Sequence, residues 1–437
     1  MTPTQTDRSV LGYPPPPKAA FTEQRFLVVF AFVASLFLLW GIAITMGDVL
    51  NRHFQGVLHV SKADSGLVQF SIFGAYALMG IPAGLFMQRF GYKNGVLLGL
   101  SLYAIGAFLF VPAANASSFL FFRGALFVLA CGLATLETVA HPFIAALGDQ
   151  RTSDQRINFA QSFNGLGTVI GPLVGGYFIL RPGAAAGATS AEGLESVKLL
   201  YLLIGGVIAA LAVAFAFVKV PALSLDPHGA GAHDGPAYVA VPTRPVAQLF
   251  RRRHFRWAVA AQFFNAAAQG GTWAYFINYG AEKMHLTNER AAYFFSLSMV
   301  LMTAGRFLGT ALMRVVSPAR LLALAALANA LLCVVIAQSW GAVSFGALLL
   351  LNFFFSIMFP TVFSLGLKDL GPLTQRGSSF IITGVVGAAI FPYLMGRVAN
   401  HDVAHAYLLP IVCYAVIFLF GAFFAAPRPA EAEANGG

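Results

Sequence analysis

Two carboxylates stand where carboxylates are costly. Of the seventeen Asp and Glu in the 437-residue chain, all but two fall in loops, tails or the ends of apolar stretches. Asp48 and Glu137 lie inside such stretches. Gly41, Thr45, Asp48 and Arg52 recur at spacings that place them on one face of a helix, and so do Ala130, Ala134, Glu137 and His141. A charge at membrane depth costs at least about 2.5–3.5 kcal/mol, so an acid there has either a neutralising partner or a job. For Asp48 the partner would be Arg52, one turn further on. The job would be to take up and release protons, with His141 beside Glu137 either sharing that proton or meeting hydroxyl groups. Amides cluster in the same way. Gln161, Asn164 and Thr168 form one stripe, and Gln262, Asn265, Gln269 and Trp273 form another. An amide both donates and accepts, as a ring of hydroxyls demands, and an aromatic such as Trp273 or Trp40 can stack on the apolar face of a sugar. The plainer role for each amide is a hydrogen bond between helices.

The elements that must hold these groups are membrane helices. Residues are 58% hydrophobic and 10% charged, against roughly a quarter charged in soluble domains. Twelve apolar stretches have the roughly 20 residues that a span needs. The expected fold is therefore an all-α membrane protein with twelve transmembrane helices in two pseudo-symmetric six-helix bundles. The expected divisions are a disordered tail over 1–25, a first bundle over 26–219, a linker over 220–256, a second bundle over 257–426 and a tail over 427–437. Lys and Arg between the spans divide eighteen against seven in favour of the side that carries both termini, which makes that side cytoplasmic. The Arg251–Arg256 cluster then faces lipid headgroups, and the net charge of +10 gives no reason to expect nucleic acid. The first apolar stretch is too long for a cleaved signal. Cys131, Cys333 and Cys413 all lie within spans and form neither a disulfide framework nor a metal-ligand pattern. No cofactor, catalytic residue or metal site is expected, and the chain does not read as an enzyme.

The halves repeat. Arg156, Gly167, Pro172 and Gly176 recur at identical spacing as Arg376, Gly387, Pro392 and Gly396. Duplicated six-helix halves are the architecture of secondary transporters, which bind substrate between the halves near the bilayer midplane. Gly167, Gly171 and Gly175, every fourth residue, allow another helix to approach closely. The run from Gly84 to Lys93 makes a tight basic turn, in which Arg89, Gly91 and Lys93 are expected to serve as a gating contact on the cytoplasmic face.

That turn resembles the loop motif of the major facilitator superfamily, with Gln88 where an Asp is usual. Leu39-Trp40-Gly41 with Asp48, Leu136 to Phe143, Asn158 to Asn164, Trp273-Ala274-Tyr275, Gly305-Arg306-Phe307, Pro360 to Gly366 and Gly377 to Ile381 resemble the fucose-galactose-glucose:proton symporters, the L-fucose permeases above all. The resemblance implies an importer of a monosaccharide together with a proton, in the inner membrane of a bacterium and working as a monomer. Glu137 would couple protonation to sugar recognition, Asp48 would take part in proton translocation, and Gln161 and Asn164 would line the sugar site. His141, Gln269, Trp273, Tyr275 and Asn278 are further expected sugar contacts. Glucose, galactose, mannose and N-acetylglucosamine are alternative substrates. Proton-coupled drug efflux is the alternative of another class, prompted by Gly167 to Gly176, which resemble a fifth-span motif of antiporters.

Overall fold

The computed structural model describes residues 21–148, 153–180, 190–218, 245–313, 315–370 and 373–425. Among these, every regular element is a helix. Twelve long ones follow in chain order: α1 Gln24–Val57, α2 Lys62–Met87, α3 Arg89–Asn115, α4 Phe119–Ile144, α5 Ser153–Phe178, α6 Gly193–Phe217, α7 Arg253–Ala274, α8 Asn288–Leu312, α9 Pro318–Ala337, α10 Ala342–Gly366, α11 Phe380–Ala399 and α12 Val403–Phe424. Ten are long and apolar enough to cross a membrane on those grounds alone. The other two, α5 and α7, carry the amide stripes. The 26 residues of α5 nonetheless reach ~39 Å at 1.5 Å per residue, more than the roughly 30 Å of a hydrocarbon core.

Local chemistry sets where the helices start and break. Ser61, Ser118, Thr287 and Asp402 each accept a backbone N–H from the first turn that follows, and Pro318 opens α9 at a position where its missing N–H costs nothing. In the first turn of α3, Gly91 has φ 83°, a left-handed conformation that a side chain would resist. Beyond Ala274 the chain kinks at Tyr275 (φ −113°, ψ 8°) and resumes as the short helix Phe276–Lys283.

Two apolar cores form. One draws on residues from Phe26 to Phe215, joined by Ile277, Ala291 and Ala292. The other draws on residues from Leu249 to Ala425. Residues 220–244 of the expected linker lie outside the described residues, as do residues 1–20 of the expected first tail and all of the second; Pro245–Arg251 forms a short helix ahead of α7.

The sequence repeat is also a packing repeat. A Cβ on Gly41 would lie 2.2 Å from Asn164 O, and one on Gly167 would lie 2.2 Å from Leu38 O, so α1 and α5 cross with backbones in contact. In the other half a Cβ on Gly387 would lie 2.1 Å from Phe263 O, and α11 meets α7 in the same way. Small residues at such crossings let van der Waals packing hold helices together where lipid gives no hydrophobic drive.

Candidate functional site

The halves meet through α2 against α11 and α5 against α8; Ser296 Oγ donates to Val169 O across the latter contact, and most of the other hydrogen bonds described between the halves gather near the α1–α2 turn. Arg52 Nε donates to Asn288 Oδ1 at 2.9 Å, Asn51 Nδ2 to Ala274 O at 2.6 Å, and Asn278 Nδ2 to Gln55 Oε1 at 2.5 Å. Lys62 Nζ lies 2.8 Å from Glu282 Oε2 and 2.7 Å from Ala399 O, while its backbone N–H reaches Asn400 Oδ1 at 2.8 Å. The Tyr275 hydroxyl sits 2.7 Å from Lys62 O and 2.8 Å from Pro392 O. Together these contacts close one end of the molecule.

Asp48 sits one turn beneath this closure. It is 2% exposed and accepts a hydrogen bond of 2.6 Å from Gln69 Nε2 on α2. Arg52, the partner that spacing suggested, does not hold it. Its guanidinium crosses to Asn288 and also meets Gln55 Oε1 at 3.2 Å, because the closed gate supplies acceptors in the other half.

Glu137 is less deeply enclosed. It is partly exposed although it lies inside α4, and the Tyr76 hydroxyl on α2 lies near its carboxyl. Trp40 Nε1 on α1 donates to that same hydroxyl. On the other side, His141 Nδ1 lies 2.9 Å from Glu137 O and His141 Nε2 lies 2.7 Å from Gln161 Nε2 on α5. Phe37 packs edge-on against the imidazole at 5.0 Å, and Asn164 Nδ2 reaches Phe37 O at 3.3 Å. Four helices of the first half thus bring Trp40, Tyr76, Glu137, His141 and Gln161 into one connected polar run. Trp40, Tyr76, His141, Gln161 and Asn164 are all partly exposed.

The α7 stripe behaves differently. Gln269 is half-buried. Trp273, expected to stack on sugar, is packed in the second half, where its Nε1 donates to Asn352 Oδ1 at 2.8 Å and Asn352 Nδ2 donates to Ser298 Oγ at 2.9 Å. Tyr275 and Asn278, also expected as sugar contacts, belong to the closed gate and are fully buried. The kink at Tyr275 is the physical reason: it turns the chain out of the face that a straight helix would have kept. Among the gating-turn residues, Arg89 lies against the ring of Phe90. Lys93 Nζ caps the last turn of α6 through Ala216 O at 2.7 Å and Val218 O at 2.9 Å, so its described contact lies within its own half.

Tyr76 and Gln69 went unrecognised in the sequence, since each is a single polar group in an apolar span. An apolar cavity of about 220 Å³ in the first half, lined by Leu39, Met46, Ile72, Leu133 and Ile204 among others, lacks the groups that hydroxyls need.

Two helical halves with inward acids and a gate between them define a membrane carrier, not a channel or an enzyme. The chain belongs to the Major Facilitator Superfamily, whose model matches residues 26–392. It is 36% identical to the L-fucose-proton symporter of Escherichia coli over 93% of this chain and 95% of that one. It is 34% identical to a glucose/galactose transporter of Brucella abortus over 88% and 91%. The crystal structure of the transporter FucP in the outward conformation superposes with a TM-score of 0.64 at 36% identity, covering 92% of this chain and 99% of that one.

Proposed function

We propose that the chain is a proton-coupled monosaccharide importer for L-fucose or a related hexose, working by alternating access, with Glu137 and Asp48 as its proton-carrying acids. The observation that carries the reading is the contrast between the two acids. Glu137 is partly exposed within a run of sugar-compatible polar groups, whereas Asp48 is sealed beneath a gate made by both halves. A carrier that couples two fluxes needs a proton site that communicates with its sugar site and must never open to both sides at once. The 36% identity to an L-fucose-proton symporter supports the substrate class, and the relative that transports glucose and galactose keeps those sugars in the panel.

With both termini cytoplasmic in a bacterial inner membrane, as the Lys and Arg distribution favours, the closed gate lies on the periplasmic side and the structure is inward-facing. The outward conformation of FucP then accounts for a TM-score of only 0.64 despite clear sequence similarity. Adding L-fucose or D-galactose to sided vesicles should alkalinise the outer medium, and an uncoupler should abolish accumulation. Sugar uptake indifferent to the uncoupler overturns proton coupling.

The gate gives a second expectation. The Lys62–Glu282 pair is partly shielded, with side chains 18% and 32% exposed, and pairs of this kind contribute up to about 1 kcal/mol. Lys62→Met should therefore shift the balance about fivefold toward the periplasm-open state. Cross-linking between cysteines placed by Ala63→Cys and Asn400→Cys should drop accordingly. An unchanged cross-linking yield removes the pair from gating.

A further inference from the structure

Nothing in the proton-coupling scheme uses the contact between His141 and Gln161, yet its chemistry is tightly constrained. His141 Nδ1 faces Glu137 O at 2.9 Å. A backbone carbonyl only accepts, so Nδ1 carries a hydrogen whether the ring is neutral or charged. The other ring nitrogen, Nε2, is 2.7 Å from the Gln161 amide nitrogen. With the ring neutral, Nε2 is bare and takes a hydrogen bond from the amide N–H. With the ring charged, Nε2 bears a proton, and two donors would confront each other at that distance. The amide must then turn over and offer Oε1 instead.

We propose that this pair is a proton-driven polarity switch in the sugar site. While His141 is neutral, Gln161 offers the ligand both lone pairs of Oε1 and one N–H. Once His141 is protonated, the ring takes one of those lone pairs, and one acceptor position and two N–H donors remain. A sugar hydroxyl gives its one hydrogen to an acceptor, so the neutral pair, with twice the acceptor capacity, fits it better. The surroundings allow the imidazole to act on its own account. Its ionisable neighbours are Glu137 on the same helix and Tyr76 on α2. The α1 helix presents Phe37 and Trp40. On α5, Gln161 and Asn164 are neutral, and the guanidinium of Arg156 is directed to Ile144 O and Phe21 O. Both the imidazole and Gln161 are partly exposed, so protons can reach the ring and the amide has a face left for a ligand.

The inference rests on the sugar reading above and refines it: one protonation, at Glu137, favours the loaded carrier, and a second, at His141, weakens its hold on the sugar. Equilibrium binding of L-fucose and D-galactose to the full chain in nanodiscs, without a gradient, should give a bell-shaped pH profile. Affinity should fall roughly five- to tenfold on the acid side, the worth of one hydrogen bond. His141→Asn, which cannot titrate, should remove the acid-side fall whatever its affinity at higher pH, and Gln161→Leu should lose the fall as well. Nitrogen-15 spectra of labelled histidine, with His141 assigned by its absence from His141→Asn, should show the Nδ1–H form when neutral. A neutral ring protonated at Nε2, or an acid-side fall that survives in His141→Asn, overturns the switch. If neither sugar binds at any pH, the substrate reading fails instead, and the ring's tautomer still decides whether the pair is built as described.

Discussion

Vesicles carrying Glu137→Gln should exchange labelled sugar across the membrane at close to the parental rate and yet never concentrate it. Glutamine has the shape of the protonated acid and can keep the contact with Tyr76, so the polar run from Trp40 to Gln161 stays whole. What it cannot do is take up a proton on one side and release it on the other. Counterflow, which needs only binding and reorientation, should persist, while the accumulation ratio under an imposed proton gradient should fall to one. Concentrative uptake in this variant would remove Glu137 from coupling and pass the role to Asp48. The expected loss is complete because no second carboxyl stands beside it to substitute. Tyr76 is a phenol, ionising near pH 10 when unperturbed, and His141 serves a different step.

Gly167→Val should be the most damaging change to the folded molecule. Its Cβ would come 2.2 Å from Leu38 O and 3.0 Å from Gly41 Cα, both backbone atoms that cannot swing aside. Overpacking a tight contact typically costs about 1–3 kcal/mol and occasionally more, and backbone-to-backbone contact puts this site at the upper end. Folded, monodisperse protein should drop several-fold and the thermal midpoint should fall. Gly206→Val is the matched control, since nothing lies within 4 Å of a Cβ there. The repeat makes a further demand: Gly387→Val should behave like Gly167→Val, because its Cβ would meet Phe263 O at 2.1 Å. If Gly167→Val is as stable as Gly206→Val, the close α1–α5 crossing does not exist.

The spans and the two acids were legible because both rest on local rules: apolar length, and the cost of charge in lipid. The 220-residue offset between Gly167 and Gly387 also marks equivalent positions in the two halves, and both turn out to be close helix crossings. What stayed hidden depends on how one half sits against the other. In the sequence Arg52 read as a partner for Asp48 and Lys62 as a loop charge that sets topology, whereas in the fold both are gate residues, since their partners Asn288 and Glu282 lie more than 200 positions away. Gln69 and Tyr76 had no periodic company to mark them. Trp273 had such company, on a stripe that lies wholly within the unbroken helix Arg253–Ala274, yet in the fold its Nε1 donates to Asn352 of its own bundle.

The Tyr275 hydroxyl offers a last consequence. It has one hydrogen and two carbonyls within reach, Lys62 O in the opposite half and Pro392 O in its own. When the halves part, the hydrogen can pivot from the first to the second, and Lys62 O passes to water. Separation therefore strands no buried donor, a loss that would otherwise cost about 1–3 kcal/mol. The latch trades one partner for another at nearly equal free energy, so neither orientation becomes a trap and the direction of travel is left to the ligands on either side.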